Sequence, residues 1–189
     1  MTPGLRLGLL VLLCLLCMLS WPCAAQQFDP VHTRFGFEVR TRWNQRVAGA
    51  FLRYEGDVVR LADGRRQVRI RLATDAVEVA DSPRYTALAR GKGFFDAARY
   101  PLIEFVSEPH ADALLHDGGP LRGRLSIHGI ARNETFTLRP SECARPGLDC
   151  DVVAHGSVSR ADYGLDGWQF AMRNSVRFDL RVRLRVPQP

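Results

Sequence analysis

The sequence predicts an all-β fold: an elongated antiparallel β-barrel of about eight strands, with one short helix covering an end or seam. Three observations predict it. Apolar residues recur at every second position over long stretches. Glycine and proline breaks divide those stretches at short intervals. A single segment has the capping residues and spacing of a helix.

The chain is 189 residues long and opens on a segment of different character. Residues 1–6 carry one positive charge, 7–19 are almost all apolar, and 20–25 end the run in helix-breaking and small residues. That is the plan of a secretory signal. The run is shorter than the about 20 residues of a membrane-spanning helix. Cleavage after Ala25, with Cys23 and Ala25 as the small residues, leaves one soluble, exported domain over 26–189. A lipoprotein reading with Cys23 as the modified residue is disfavoured by Trp21-Pro22 just before it.

Cys14, Cys17 and Cys23 leave with the signal, so Cys143 and Cys150 remain as an even pair in an oxidising compartment. Pro146-Gly147 turns the chain between them, and a disulfide is expected. The competing reading is a metal or redox pair. The spacing is not C-x-x-C and no histidine lies between, which disfavours it.

The first strand is read from Phe35, Phe37, Val39, Thr41 and Trp43 on one parity, against Arg34, Gly36, Glu38, Arg40 and Arg42 on the other. Strand-like stretches follow at 51–59, around Val68, Ile70 and Leu72, at 103–106, around Gly123, Leu125 and Ile127, and at 136–138 and 152–158. The last runs from Val176 to Val186, its apolar residues alternating with Arg177, Asp179, Arg181, Arg183 and Arg185. Such a run spans about 36 Å at roughly 3.3 Å per residue. Strands of that length suit a sheet closed on itself. The helix begins at Ser82, tolerates Pro83 in its first turn, puts Tyr85, Leu88 and Ala89 on one face, and ends at Gly91. The stretch 109–120 reads as a surface loop. Alternation alone does not say which face is inside. The capped helix, and a lumen that would otherwise hold many arginines with few acids, favour a soluble barrel over an inverted membrane barrel.

The formal net charge is +6, and Lys92 is the only lysine. Export, and arginines spread along strands instead of gathered in one patch, argue against a nucleic-acid partner.

The segment Gly93-Phe94-Phe95-Asp96-Ala97-Ala98-Arg99-Tyr100-Pro101-Leu102-Ile103-Glu104-Phe105-Val106-Ser107 resembles the core of the YceI-like, polyisoprenoid-binding family. Phe28-Asp29 with His32-Thr33, Gly49 with Phe51 and Gly56, 123–130, and Ser159-Arg160 with Tyr163-Gly164 match in order. The resemblance covers 28–186. It implies a lipocalin-like barrel in a usually periplasmic protein that often pairs with itself as a homodimer. Its apolar lumen holds a polyisoprenoid, an isoprenoid quinone or a similar long lipid, which is the only bound molecule expected. No other cofactor and no metal are expected. The lumen residues would be Phe35, Phe37, Val39, Phe51, Phe94, Phe95, Ile103, Phe105, Phe136, Val158, Phe178 and Leu180, with Asp29, His32 and Tyr85 as candidate head-group contacts. Arg84-Tyr85-Thr86-Ala87-Leu88 stands where relatives carry an Arg-Asp-x-His-Leu type run, and Ala131 replaces a threonine. The cysteine pair is not a general family feature.

Each motif has a plainer reading. The phenylalanines serve equally as core or as ligand wall. Asp29 and His32 either meet a head group or make a local hydrogen bond that fixes the start of the first strand. Asp96 caps a short turn, Tyr100 is held extended before Pro101, and Gly129, Gly156 and Gly164 permit bends or close approaches. His32, His110, His116, His128 and His155 lack metal-ligand spacing. No nucleophile elbow, zinc-protease motif or phosphate loop is present, so a binding protein is expected instead of an enzyme. The alternatives are an enzyme acting on an isoprenoid lipid and a structural or stress-protective protein with a filled core. A tail of about forty carbons would gain on the order of 30 kcal/mol in gross terms, above the roughly 20 kcal/mol at which affinities saturate. Tail length is therefore a poor guide to affinity.

Overall fold

The computed structural model describes residues 25–80 and 82–186. Except for Ala25, the expected signal segment lies outside them. Among the described residues the chain forms eleven antiparallel strands: β1 (Gln26–Gln27), β2 (Arg34–Thr41), β3 (Arg46–Phe51), β4 (Tyr54–Arg60), β5 (Arg66–Ala73), β6 (Val77–Val79), β7 (Leu102–Ser107), β8 (Gly119–Ile127), β9 (Ile130–Leu138), β10 (Val152–Ser159) and β11 (Met172–Val182), with period-two burial clearest in β2, β7, β8 and β11. Two α-helices accompany them among the described residues, α1 (Pro83–Arg90) and α2 (Ala113–Asp117).

The hydrogen-bonded order is β1-β4-β5-β7-β8-β9-β10-β11-β2-β3-β6. Breaks within long strands account for most of the excess over the expected eight. Only Leu52 and Arg53 separate β3 from β4, and one 3-10 turn, Thr74–Ala76, separates β5 from β6. β3 pairs with β2 while β4 pairs with β5. The bent run 46–60 therefore connects the two ends of the order and curls the sheet round on itself.

In β7, Ile103, Phe105 and Ser107 are buried while Leu102, Glu104 and Val106 are exposed. In β11, Phe178 and Leu180 are buried while Arg177, Asp179 and Arg181 are exposed. The apolar face points inward and the charged face outward, the reverse of a lipid-facing barrel.

Inward glycines set how the interior fills. A Cβ built on Gly49 would stand 2.4 Å from the Phe37 ring, on Gly56 2.0 Å from Phe28, on Gly123 2.5 Å from Phe105, and on Gly156 2.7 Å from Phe136. Each of these glycines is the seat of a phenyl ring from a neighbouring segment.

Three expectations change. Trp43 keeps the parity of β2 but is 70% exposed, because the strand ends at Thr41 and the chain turns. The last strand begins at Met172 and ends at Val182; Leu184 adds a single bridge to Phe28, and Val186 is exposed. The stretch 109–120 is not a plain loop: it holds α2 and the first residues of β8. Gly118 and Gly119, at φ of +71° and +125°, make the turn between them.

The end of the barrel where β2 starts is covered. The Thr33 hydroxyl accepts from the Arg183 N–H and donates to the Arg183 carbonyl, both at 3.1 Å. The Asp29 N–H reaches the same carbonyl at 2.8 Å. Cys143 and Cys150 are joined by a disulfide, and the loop it closes accepts the Leu184 N–H at the Gly147 carbonyl, 2.6 Å. Leu148 of that loop, with Leu114 and Leu115 of α2, packs onto the core.

The loop closed by the disulfide is about eight residues long, for which chain entropy gives about 2.5 kcal/mol. Replacing both Cys143 and Cys150 by serine is expected to lower the free energy of unfolding by about that amount in a denaturant titration. Coincident curves for the variant and the oxidised wild type would refute this role.

Candidate ligand cavity

At the end where β2 finishes, the lumen is hollow. A cavity of about 530 Å³ lies between Phe37 and Val39 of β2, Val158 of β10, and Val176 and Phe178 of β11. Two lids border its mouth. One is α1 with the segment that follows it, contributing Tyr85, Leu88, Phe94 and Phe95; the other is the loop before β11, contributing Leu165, Trp168 and Phe170. Trp43, Tyr85 and Phe170 form an exposed aromatic rim, Phe170 being 72% exposed.

Local chemistry holds α1 in place. The Ser82 hydroxyl accepts from the Tyr85 N–H at 3.2 Å and caps the helix. The Thr86 hydroxyl accepts from the Val79 N–H at 2.9 Å, and Arg90 donates to the Val77 carbonyl at 2.9 and 3.1 Å. These bonds pin the helix to β6 and leave Arg84, Tyr85 and Leu88 lining the cavity. The two lids meet backbone to backbone: a Cβ on Gly167 would stand 1.7 Å from the Gly93 carbonyl oxygen. Only glycine fits at 167.

The cavity is blind at its inner end. Phe178 meets Phe136 at 6.2 Å between centroids, and Phe136 meets Phe105 edge-on at 5.1 Å. Beyond this stack lies a second space of only about 70 Å³, lined by Phe105, Phe136, Leu180 and Leu184 among others.

The charged lining is one-signed. Arg46, Arg84 and Arg160 line the large cavity, and no aspartate or glutamate does so among the described residues. Arg46 is paired at 2.6 Å with Glu38. Arg160 is only 3% exposed. It continues the inward parity of Ala154, Gly156 and Val158 past the end of β10. Its guanidinium lies 4.8 Å over the Phe94 ring and donates to the Gly167 carbonyl. Burial pulls its pKa below the usual arginine value, with Asp166 opposing, yet arginine stays charged. Nearby Tyr163 is fully buried and donates to Glu134 at 2.8 Å; burial, then this bond, pushes its pKa up.

A family model described as the YceI-like domain matches residues 26–186. The chain belongs to the YceI-like family. No curated protein matches it. Among solved structures, Burkholderia cenocepacia BcnA is similar with a TM-score of 0.69 at 16% identity, over 84% of this chain and 99% of that one. A polyisoprenoid-binding domain from Saccharophagus degradans, implicated in plant cell wall breakdown, has a TM-score of 0.65 at 12% identity, over 87% and 99%. The Campylobacter jejuni YceI protein has 0.60 at 13%, over 74% and 85%. At these identities the likeness is one of fold.

Within this YceI-like barrel the expected lumen residues separate into three groups. Phe37, Val39, Phe94, Phe95, Val158 and Phe178 line the large cavity, as does Tyr85. Phe105, Phe136 and Leu180 line the small one. Phe35, Phe51 and Ile103 line neither and are packed into the core. Asp29 and His32 lie at the covered end, far along β2 from the mouth. They bond to each other at 2.6 Å, which is the local reading of this pair. This bond and the Val31 N–H hold the Asp29 carboxyl below the usual carboxylate range. Sequence reasoning missed Arg160, although its parity with Val158 was visible.

Two substitutions test this geometry. Phe178→Arg puts an unpaired charge among apolar walls, at a cost of several kcal/mol, and is expected to lower the melting temperature and abolish lipid retention. Arg181→Glu, on the outward parity, is expected to stay within about 0.5 kcal/mol of wild type; equal effects of the two changes would refute the assignment of faces.

Phe136→Ala removes the middle ring of the stack. It is expected to cost about 3–5 kcal/mol and to join the two spaces. The retained chain should then lengthen by mass spectrometry of lipid extracts, and an unchanged length distribution would show that the stack does not set the inner end.

Proposed function

We propose that this YceI-like protein is a periplasmic carrier or reservoir for an amphiphilic lipid, an isoprenoid or isoprenoid quinone being the leading class, with no catalysis of its own. The single observation that carries the reading is the blind cavity of about 530 Å³, apolar along most of its wall and open at an aromatic mouth. Small-molecule sites fall in the range of about 300–1,000 Å³. The polyisoprenoid-binding domain of similar fold supports the ligand class. A tail entering from the mouth would meet Tyr85, Phe94 and Phe95 first and Phe178 last. Each buried methylene-sized group would contribute about 0.8 kcal/mol before ordering costs. Because the inner end is blind, chain length becomes a criterion of selection alongside polarity.

The ring stack that fills the middle of the barrel favours a second reading, a structural protein with a filled core. Native mass spectrometry of protein purified from its own compartment without detergent separates the two. Complexes heavier than the chain, releasing a long apolar molecule into solvent extracts, are expected. Ligand-free protein throughout would refute carriage in favour of the filled core, and turnover of the bound lipid by purified protein would refute it in favour of an enzyme.

A further inference from the structure

We infer that the occupant of the cavity ends in an oxyanion, a phosphate or a carboxylate, and that Arg160 binds it with help from Arg84 at the mouth. This rests on the lipid-binding reading above and narrows its ligand class: an isoprenoid phosphate or a fatty acid fits, and a neutral isoprenoid quinone does not.

The lining supplies the first reason. Its charged side chains among the described residues are Arg46, Arg84 and Arg160, and no carboxylate is part of the lining. Glu38 serves Arg46 and Arg40. A cationic head group would face cations alone. The second reason is the state of Arg160. Among the described residues no carboxylate lies within ion-pair distance of it. Its hydrogen bond runs to the Gly167 carbonyl, and Phe94 covers one face of the guanidinium. A guanidinium carries five N–H donors in a fork that matches two oxygens at once. Asp166 acts on this cation only from beyond ion-pair distance, so burying it remains costly, and a ligand oxyanion in contact with the guanidinium offsets that cost. The third reason is placement. Arg160 lies under the loop that carries Trp168 and Phe170, while Phe178 and its ring stack form the inner end. The cavity is thus polarised along its length, apolar inside and cationic outside. An amphiphile entering tail first would bring its head to Arg160.

Arg84 sits exposed on the first turn of α1 and lines the same cavity. It provides a second cation whose loss disturbs no bond that holds the helix, since Thr86 and Arg90 make those bonds.

The test uses full-length mature protein stripped of lipid and a neutral fluorophore, N-phenylnaphthylamine, as displaceable probe. Farnesyl phosphate is compared with farnesol, and palmitate with hexadecanol. At least one anion is expected to displace the probe at a concentration roughly tenfold or more below that of its alcohol. Arg160→Gln should erase that preference, bringing the anion-to-alcohol ratio to about one whatever the change in farnesol affinity that the loss of its lid contacts brings. Arg84→Gln should reduce the preference with an unaltered melting temperature, and it keeps the inference testable if Arg160→Gln fails to fold. Parity of anion and alcohol in both pairs, or a preference that survives both variants, overturns the inference while leaving lipid binding intact. If inorganic phosphate cancels the preference at equal concentration, the site is one for a free anion and the inference fails. If neither anion nor alcohol displaces the probe, lipid binding itself fails and the inference falls with it.

Discussion

The structure depends on where phenyl rings can lie inside a curled sheet. Gly49, Gly56, Gly123 and Gly156 interrupt inward rows that would otherwise crowd one another, and a ring from a neighbouring segment lies across each. A glycine inside a strand costs roughly 0.5–1 kcal/mol relative to alanine, a cost the covering ring offsets by burying the bare backbone. Phe105 and Phe136, with Phe178, close the middle, while Phe37, seated on Gly49, leaves room beside it. The distribution of four glycines therefore decides which part of the barrel is core and which part is vessel.

The mouth obeys a different constraint, the contact of two lids that are far apart in sequence. Gly93 lies three residues past the end of α1, and Gly167 precedes β11. Their backbones touch, so neither lid can shift inward without the other. Arg160 strengthens the coupling because one guanidinium contacts both, the Phe94 ring on one side and the Gly167 carbonyl on the other. Anything that binds this arginine acts on both lids together.

Much of the fold was legible because burial in a one-sided sheet writes itself into alternate residues. The inward faces of β2, β7 and β11, the capped helix from Ser82 to Gly91 and the cysteine pair all follow from local pattern. What escaped was end-specific. Trp43 keeps the parity of β2 yet lies past its end, and parity carries no signal of where pairing stops. α2 is short and lies in a stretch rich in turn residues, so its periodicity is too brief to register. Asp29 and His32 stand at the start of a strand, but alternation does not say whether that end is covered or open; the loop around Cys143–Cys150 and α2 decide it through contacts distant in sequence. Arg160 was readable in principle. It is an arginine that continues the inward parity of β10 one residue past its end, where apolar residues are the rule, and in that it stands out from the phenylalanines around it.

A pocket closed at its inner end by a ring stack has a kinetic signature. Its contents can leave only by the path they entered, and a second molecule cannot push the first out from behind. Exchange is then dissociative: the rate of replacement equals the rate of escape and does not rise with the concentration of the incoming molecule. Residence time, set by how firmly the mouth holds the last part of the occupant to pass it, becomes the quantity that governs delivery.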